Sequence, residues 1–334
     1  MMNQDQFSEN QTMANNPFAK ASELTILLRN ELKKAVIGQD KVIEEVLIAF
    51  LAGGHVLLEG VPGLGKTLLV RSLATIFSGT FSRVQFTPDL MPTDITGHSI
   101  FDMKSQTFHL HKGPVFANLL LADEINRAPA KTQAALLEVM QEQAVTLEGK
   151  TQPVPHPFMV MATENPIEQE GTYPLPEAQL DRFMFKVLID YPTAEHEAEL
   201  VKQVTMSARA DILDQAKLQK ILSIEQVQAL QKITARMPVD EQIIHYAVRL
   251  VQATRTWQGL AVGAGPRATI ALIAGARARA LLRGMNFVTP DDIKAIWLPT
   301  LRHRVRLSPE LEIEGYSIDQ VLTDIAQQVN APRL

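Results

Sequence analysis

Residues 55–67 read His-Val-Leu-Leu-Glu-Gly-Val-Pro-Gly-Leu-Gly-Lys-Thr. Val56, Leu57 and Leu58 form the short apolar run of a strand buried on both faces. Gly60, Gly63 and Gly65, interleaved with Pro62 and Leu64, let the backbone turn tightly and bring its N–H groups close to an anion. Lys66 supplies a point charge for β- and γ-phosphates, and the Thr67 hydroxyl can bind Mg²⁺. From Thr67 on, Leu68, Leu69, Leu73, Ile76 and Phe77 repeat at helical spacing until Ser78-Gly79. Strand, glycine loop and helix in that order mark a P-loop, with phosphates held at the helix N-terminus. The stretch predicts a site for ATP or a similar triphosphate.

Upstream, residues 1–17 are polar and rich in Asn and Gln, and are expected to form a disordered tail. Ser22 can cap a helix carrying Leu24, Leu27, Leu28 and Leu32, and a second helix with Val42, Val46, Leu47, Phe50 and Leu51 ends at Gly53-Gly54. Between them, Val36, Ile37 and Gly38 could form an adenine-facing wall or an ordinary helix–helix turn.

Downstream, apolar runs recur at 83–86, 119–122, 158–161 and 185–189. With the first they make five candidate strands separated by helix-length segments, which predicts a parallel α/β sheet. Residues 129–142 form a helix opened by Pro129, with Leu136, Leu137 and Met140 on one face. Hairpins are expected at 99–110 and around the Glu148-Gly149-Lys150 turn. Beyond Tyr191-Pro192 helical periodicity takes over, and Ser223/Gln226, Thr289/Asp292 and Ser317/Gln320 fit the capping-box spacing. The chain divides into an α/β nucleotide-binding domain at 18–207 and an all-helical domain at 208–334.

Composition narrows the function classes. A net charge of −5 argues against nucleic acid or anionic lipid as a long-range partner. No apolar run approaches membrane-spanning length, and no signal-peptide pattern opens the chain. The absence of cysteine excludes disulfides and thiolate metal sites and fits a cytoplasmic setting.

The third strand ends Leu121-Ala122-Asp123-Glu124, two acids at the edge where α/β sheets place Mg²⁺–nucleotide chemistry. Asp123 would hold Mg²⁺. Glu124, turned elsewhere by strand alternation, would orient the attacking water. Asn165 ends the fourth strand and could hydrogen-bond the γ-phosphate or the water. Arg267, just inside a helix opened by Pro266, opposes the helix dipole unless an anion sits there, and is a candidate phosphate sensor. Arg182 could pair with Asp181 or another acid of its own chain.

These residues together resemble the MoxR family of AAA+ ATPases, from about residue 20 to the C-terminus. Residues 60–67 resemble the Walker A loop, and 119–129 with 131–138 resemble the Walker B strand and its helix. Asn165 falls on sensor 1. The run 166–183 is similar to the family's most recognisable stretch and places Arg182 on the arginine finger, while Gly265-Pro266-Arg267-Ala268 places Arg267 on sensor 2. The resemblance implies a core sheet in the order 5-1-4-3-2, a helical lid, and insertions near 97–113 and 144–156 that usually line a central channel. It further implies hexameric rings with ATP between subunits, and chaperone-like work on client protein complexes. Partners bearing von Willebrand factor A domains are frequent in such systems, which sometimes serve metal cofactor insertion.

Two other activities share these features, a metal-chelatase-like motor subunit and a nucleotide-gated scaffold that hardly hydrolyses. His109 and His111 would face one side of a strand but lack a third ligand nearby. The basic run 302–306 reads as a solvated face or as a contact to a neighbouring subunit's acids.

Overall fold

The computed structural model describes residues 17–61, 63–104, 106–165, 172–206 and 216–332. The expected tail up to residue 16, Pro62, the run 166–171 and the expected domain boundary at 207–208 lie outside the described residues.

The first helix runs Pro17–Ala35, so proline opens it and Ser22 is buried within it rather than capping it. The next helix, Asp40–Ala52, leads into β1 (Val56–Glu59). The helix Lys66–Ile76 is followed by β2 (Phe81–Gln85), a hairpin of β3 (Gly97–Asp102) and β4 (Thr107–Lys112), and β5 (Leu119–Asp123). Past the helix Ala130–Glu142, a second hairpin pairs β6 (Ala144–Leu147) with β7 (Lys150–Pro153), and the core closes with β8 (Met159–Glu164) and β9 (Phe185–Leu188). In the turn of the second hairpin, Glu148 and Gly149 both have positive φ, as a tight antiparallel reversal requires.

The core sheet has five strands in the order β2-β5-β8-β1-β9, and its pairings are parallel. Counted by the five predicted core strands this is 5-1-4-3-2, the expected order. Alternation splits each central strand between two cores. Val56, Leu58, Leu119, Leu121, Met159 and Met161 enter one, with the helix Lys66–Ile76. Leu57, Leu120, Ala122, Val160 and Ala162 enter the other, with the helix Ala130–Glu142. Burial on both faces explains why these strands are continuous apolar runs. Each fully buried leucine contributes about 2 kcal/mol over leaving it in water. The carboxyl ends of β1, β5 and β8 therefore open side by side at one edge.

The C-terminal part is helical. Its long helices are Ile224–Ala235, Glu241–Thr256, Pro266–Leu282 and Ile318–Gln328. Ser223 and Ser317 each accept from the backbone N–H three residues on, and Asp292 accepts from the Thr289 N–H at 2.9 Å. A small antiparallel pair of Leu260–Val262 with Arg306–Leu307 is added to this helical part.

The basic run behaves differently from its expectation. Arg302, His303 and Arg304 are buried. Arg302 donates to the Lys186 carbonyl at 3.1 Å, and His303 Nε2 donates to that of Phe183 at 3.0 Å. Arg304 grips residues 181–184. The chain leaving the helix Glu177–Leu180 presents carbonyls that the sheet does not use, and the helical part answers them with guanidinium and imidazole N–H groups.

Candidate functional site

A cleft of 460 Å³ lies at the carboxyl edge of the sheet, lined among others by Lys66, Thr67, Leu68, Asp123, Glu124 and Asn165. Gly63 and Gly65 stand at its rim in the left-handed region, φ 89° and 77°, with no atom within 4 Å of where a Cβ would lie. Only glycine holds that conformation without strain, and the space beside it is left for another occupant. Gly60 is a glycine for another reason. A Cβ there would come within 2.6 Å of the Ile189 carbonyl oxygen at the end of β9. Leu64 packs on the core and anchors the loop between its two left-handed glycines.

Lys66 donates to the Gly60 carbonyl at 2.5 Å. Burial holds its ammonium below the ordinary lysine value, while the carboxylates of Asp123, Glu124 and Glu59 oppose that shift. A half-desolvated cation facing several acids is poised to meet an anionic ligand.

The acid pair is organised by neighbouring strands. Thr163 on β8 donates to Asp123 Oδ1 at 2.7 Å and accepts from the Glu124 N–H at 2.8 Å. Arg83 on β2 reaches Asp123 Oδ2 at 2.5 Å. Glu124 accepts from Gln85 Nε2 at 2.9 Å and pairs with Arg127 at 3.2 Å. Its orientation does not come from strand alternation, because β5 ends at Asp123. Glu124 sits instead in the left-handed region at φ 55° and ψ 51°, which kinks the chain and brings both acids into one cleft. A non-glycine residue held there stores strain of about 1 kcal/mol or more. Asn165 follows β8 and is nearly buried beside them.

Val36, Ile37 and Gly38 do not line this cleft. They form the turn between the first two helices, with Gly38 left-handed at φ 74° and His196 packed where its Cβ would be. Gln39 donates to the Asp190 carbonyl at 2.8 Å, which ties the turn to the chain leaving β9 beside Gly60. The turn therefore lies next to the P-loop.

Arg182 and Arg267 are brought together, away from Lys66. Both line a separate cleft of 310 Å³ that also takes in Asp181, Arg304 and His55. Asp181 pairs with Arg304 at 2.8 Å and with Arg267 at 3.5 Å rather than with Arg182. The buried Nε of Arg182 has no hydrogen-bond partner among the described residues. Arg267 is not among the residues that line the P-loop cleft of its own chain.

Arg83, Gln85, Thr163 and Arg127 are site residues that the sequence did not single out. For Arg127 a local sign existed, since it follows Glu124 at helical ion-pair spacing. Elsewhere, the described residues hold no group of three His, Asp or Glu that could ligate a metal; His111 instead pairs with His98 across the first hairpin. No helix among them is long and apolar enough to cross a membrane.

Comparison with known proteins agrees with this geometry. The model described as "ATPase family associated with various cellular activities (AAA)" matches residues 55–185, and that of the AAA lid domain matches 252–325. Chaperone MoxR1 of Mycobacterium tuberculosis is 47% identical over 91% of this chain and 81% of its own. Protein MoxR of Methylorubrum extorquens is 32% identical over 90% of this chain and 93% of its own. A solved structure of a candidate ATPase from Cytophaga hutchinsonii superposes with a TM-score of 0.85 at 42% identity, covering 94% of this chain and 98% of that one. P-loop, paired acids, parallel core and helical lid thus belong together, and this chain is a member of the MoxR family of AAA+ ATPases.

Proposed function

We propose that the chain hydrolyses ATP at contacts between its own subunits, in a cytoplasmic ring expected to hold six. The cycle is used to remodel, assemble or activate partner protein complexes, as the name of the MoxR1 chaperone relative suggests. A von Willebrand factor A domain protein is the expected companion.

One observation carries the reading. Lys66, Asp123 and Glu124 share one cleft, while Arg182 and Arg267 share another on the same chain. Phosphoryl transfer needs both sets on one phosphate chain, and a neighbouring subunit supplies the second set when the two clefts face each other. The open sides of Gly63 and Gly65 and the half-buried Lys66 fit a triphosphate. Thr67 and Asp123 would hold the magnesium ion, whose charge neutralises phosphate oxygens. The loop amides and Lys66 position the phosphates. Glu124, once released from Gln85 and Arg127, orients a water and takes its proton. Asn165 steadies that water or the γ-phosphate. Arg182 and Arg267, arriving together, stabilise charge developing on the transferred group, and such fingers contribute about 10³-fold or more in rate.

The test is complementation. Arg182→Ala and Lys66→Ala should each be inactive alone, and mixing them should restore part of the turnover through interfaces that pair an intact P-loop with intact arginines. No recovery in assembled mixtures would place Arg182 in its own chain's site. A scaffold with little hydrolysis is the second reading, favoured by the engagement of both acids with Arg83, Gln85 and Arg127. Steady-state ATP consumption separates it from the first.

A further inference from the structure

We propose that Arg304 is a positioning residue for the arginine pair, clasping the core segment that carries Arg182 to the lid helix that carries Arg267 so that the two arginines keep one arrangement. The inference rests on the reading of Arg182 and Arg267 given above and extends it to a residue that touches neither nucleotide nor water.

Arg304 follows the helix Trp297–Leu301, and its side chain is 3% exposed. Each of its five N–H donors has an acceptor. Nε donates to Asp181 Oδ1 at 2.8 Å. One terminal nitrogen donates to the Met184 carbonyl at 3.0 Å and to that of Thr300. The other donates to the carbonyls of Phe183 at 2.6 Å and Asp181 at 3.3 Å. The acceptors at 181, 183 and 184 bracket Arg182 on both sides, so one guanidinium fixes the backbone that carries it. The second Asp181 oxygen lies 3.5 Å from Arg267 Nη1, which passes the constraint to the first turn of the helix Pro266–Leu282.

Burying a charged group against backbone carbonyls is expensive unless every donor is used. A simple lid-to-core contact is met elsewhere by apolar packing of the lid helices. The planar fork is the one side chain able to hold carbonyls on both sides of Arg182 at once, and lysine cannot reproduce it. The Met184 N–H donates to the His55 carbonyl and Phe185 pairs with Val56 in the core sheet, so the clasp fixes lid against core at this point and Arg182 and Arg267 meet the facing P-loop in register.

The test uses the full-length chain with Arg304→Met, Arg304→Lys, Arg182→Ala and the double variant Arg182→Ala/Arg304→Met. Arg304→Met should bind a fluorescent ATP analogue at its own P-loop within about threefold of wild type, yet lose on the order of a hundredfold in kcat, as misplaced catalytic groups do. Arg304→Lys should restore little. The loss in the double variant should fall well short of the product of the two single losses, because the Arg182 contribution is common to both while only that of Arg267 is added. In mixtures, Arg304→Met should be rescued by Lys66→Ala but not by Arg182→Ala. A kcat within about threefold of wild type, or losses that multiply in the double variant, would overturn the proposal. Should Arg182→Ala itself fail to be rescued, the intersubunit reading falls while the double-variant comparison still decides the role of Arg304. If Arg304→Met does not assemble, Asp181→Ala breaks the same link to both arginines and is compared with Arg182→Ala in the same way.

Discussion

Arg83 Nη2 lies 2.5 Å from Asp123 Oδ2, so the carboxylate placed to hold magnesium is already paired with a cation from the adjacent strand. Arg83 is about half exposed, and a pair of that kind is worth up to about 1 kcal/mol. Magnesium has to compete with it. Replacing Arg83 by Met should lower the magnesium concentration that half-activates ATP hydrolysis by up to about fivefold. An unchanged or raised midpoint would show that Arg83 leaves Asp123 before nucleotide arrives, or that it contacts the nucleotide itself.

Glu124 is the carboxylate placed for water. Glu124→Gln keeps the hydrogen-bonding shape and removes the proton acceptor, so nucleotide should still bind while turnover falls by about 10²–10⁴-fold. The charge of Lys66, Thr67 and the loop amides stay in place, which is why affinity should survive. A variant that retained near-normal turnover would remove Glu124 from the reaction. The same variant, held with ATP bound, is the form to use for capturing a client.

Gly60 and Gly65 sit five residues apart in the sequence, but their substitutions should have different consequences. Gly60→Ala drives a methyl toward the Ile189 carbonyl at 2.6 Å, an overpacking cost of about 1–3 kcal/mol that should lower the melting temperature by several degrees. Gly65→Ala meets no atom within 4 Å but must hold φ 77°. That costs about 1 kcal/mol and sets a methyl in the open side of the loop. Its main effect should be on ATP affinity, lowered about tenfold or more. Equal effects of the two on melting and on affinity would contradict the division.

The parts legible in the sequence are those whose cause is local or repeated. β1, β5 and β8 are continuous apolar runs up to their carboxyl ends because both faces are buried, and that pattern is visible without knowing the partner. The glycines of the P-loop announce a backbone that other residues cannot follow. Arg83, Gln85 and Thr163 were not legible because only the order β2-β5-β8 sets them beside Asp123 and Glu124. Their own segments contain no signal of it. Glu124 was assigned the right neighbourhood for the wrong reason, since its direction follows from a left-handed kink that no composition rule marks. Charge led the reading of residues 302–304 toward solvent. The carbonyls of 181–186 that draw them inside come from more than a hundred residues earlier, and sequence spacing carries no trace of such a contact.

His55, immediately before β1, gives the fold a dependence on pH that can be worked out in sign. Its Nδ1 accepts from the Val160 N–H at 2.9 Å and its Nε2 donates to the Met140 carbonyl at 3.2 Å, an arrangement open only to the neutral ring. Burial lowers its pKa from 6.5 to about 4, with the Met140 hydrogen bond opposing. Between those values the unfolded chain binds a proton that the folded chain does not, so stability is present in full above pH 6.5 and is lost as pH falls toward 4. Going from about pH 7.5 to about pH 5 should remove about 2 kcal/mol through this one group. His55→Gln offers an acceptor to Val160 and a donor to Met140 without titrating. The urea midpoint of this variant should therefore fall less over the same interval than that of the wild type. Equal slopes for the two proteins would mean that the ring is solvated or protonated in the folded state, and that β1 is held at its start by something other than a neutral imidazole.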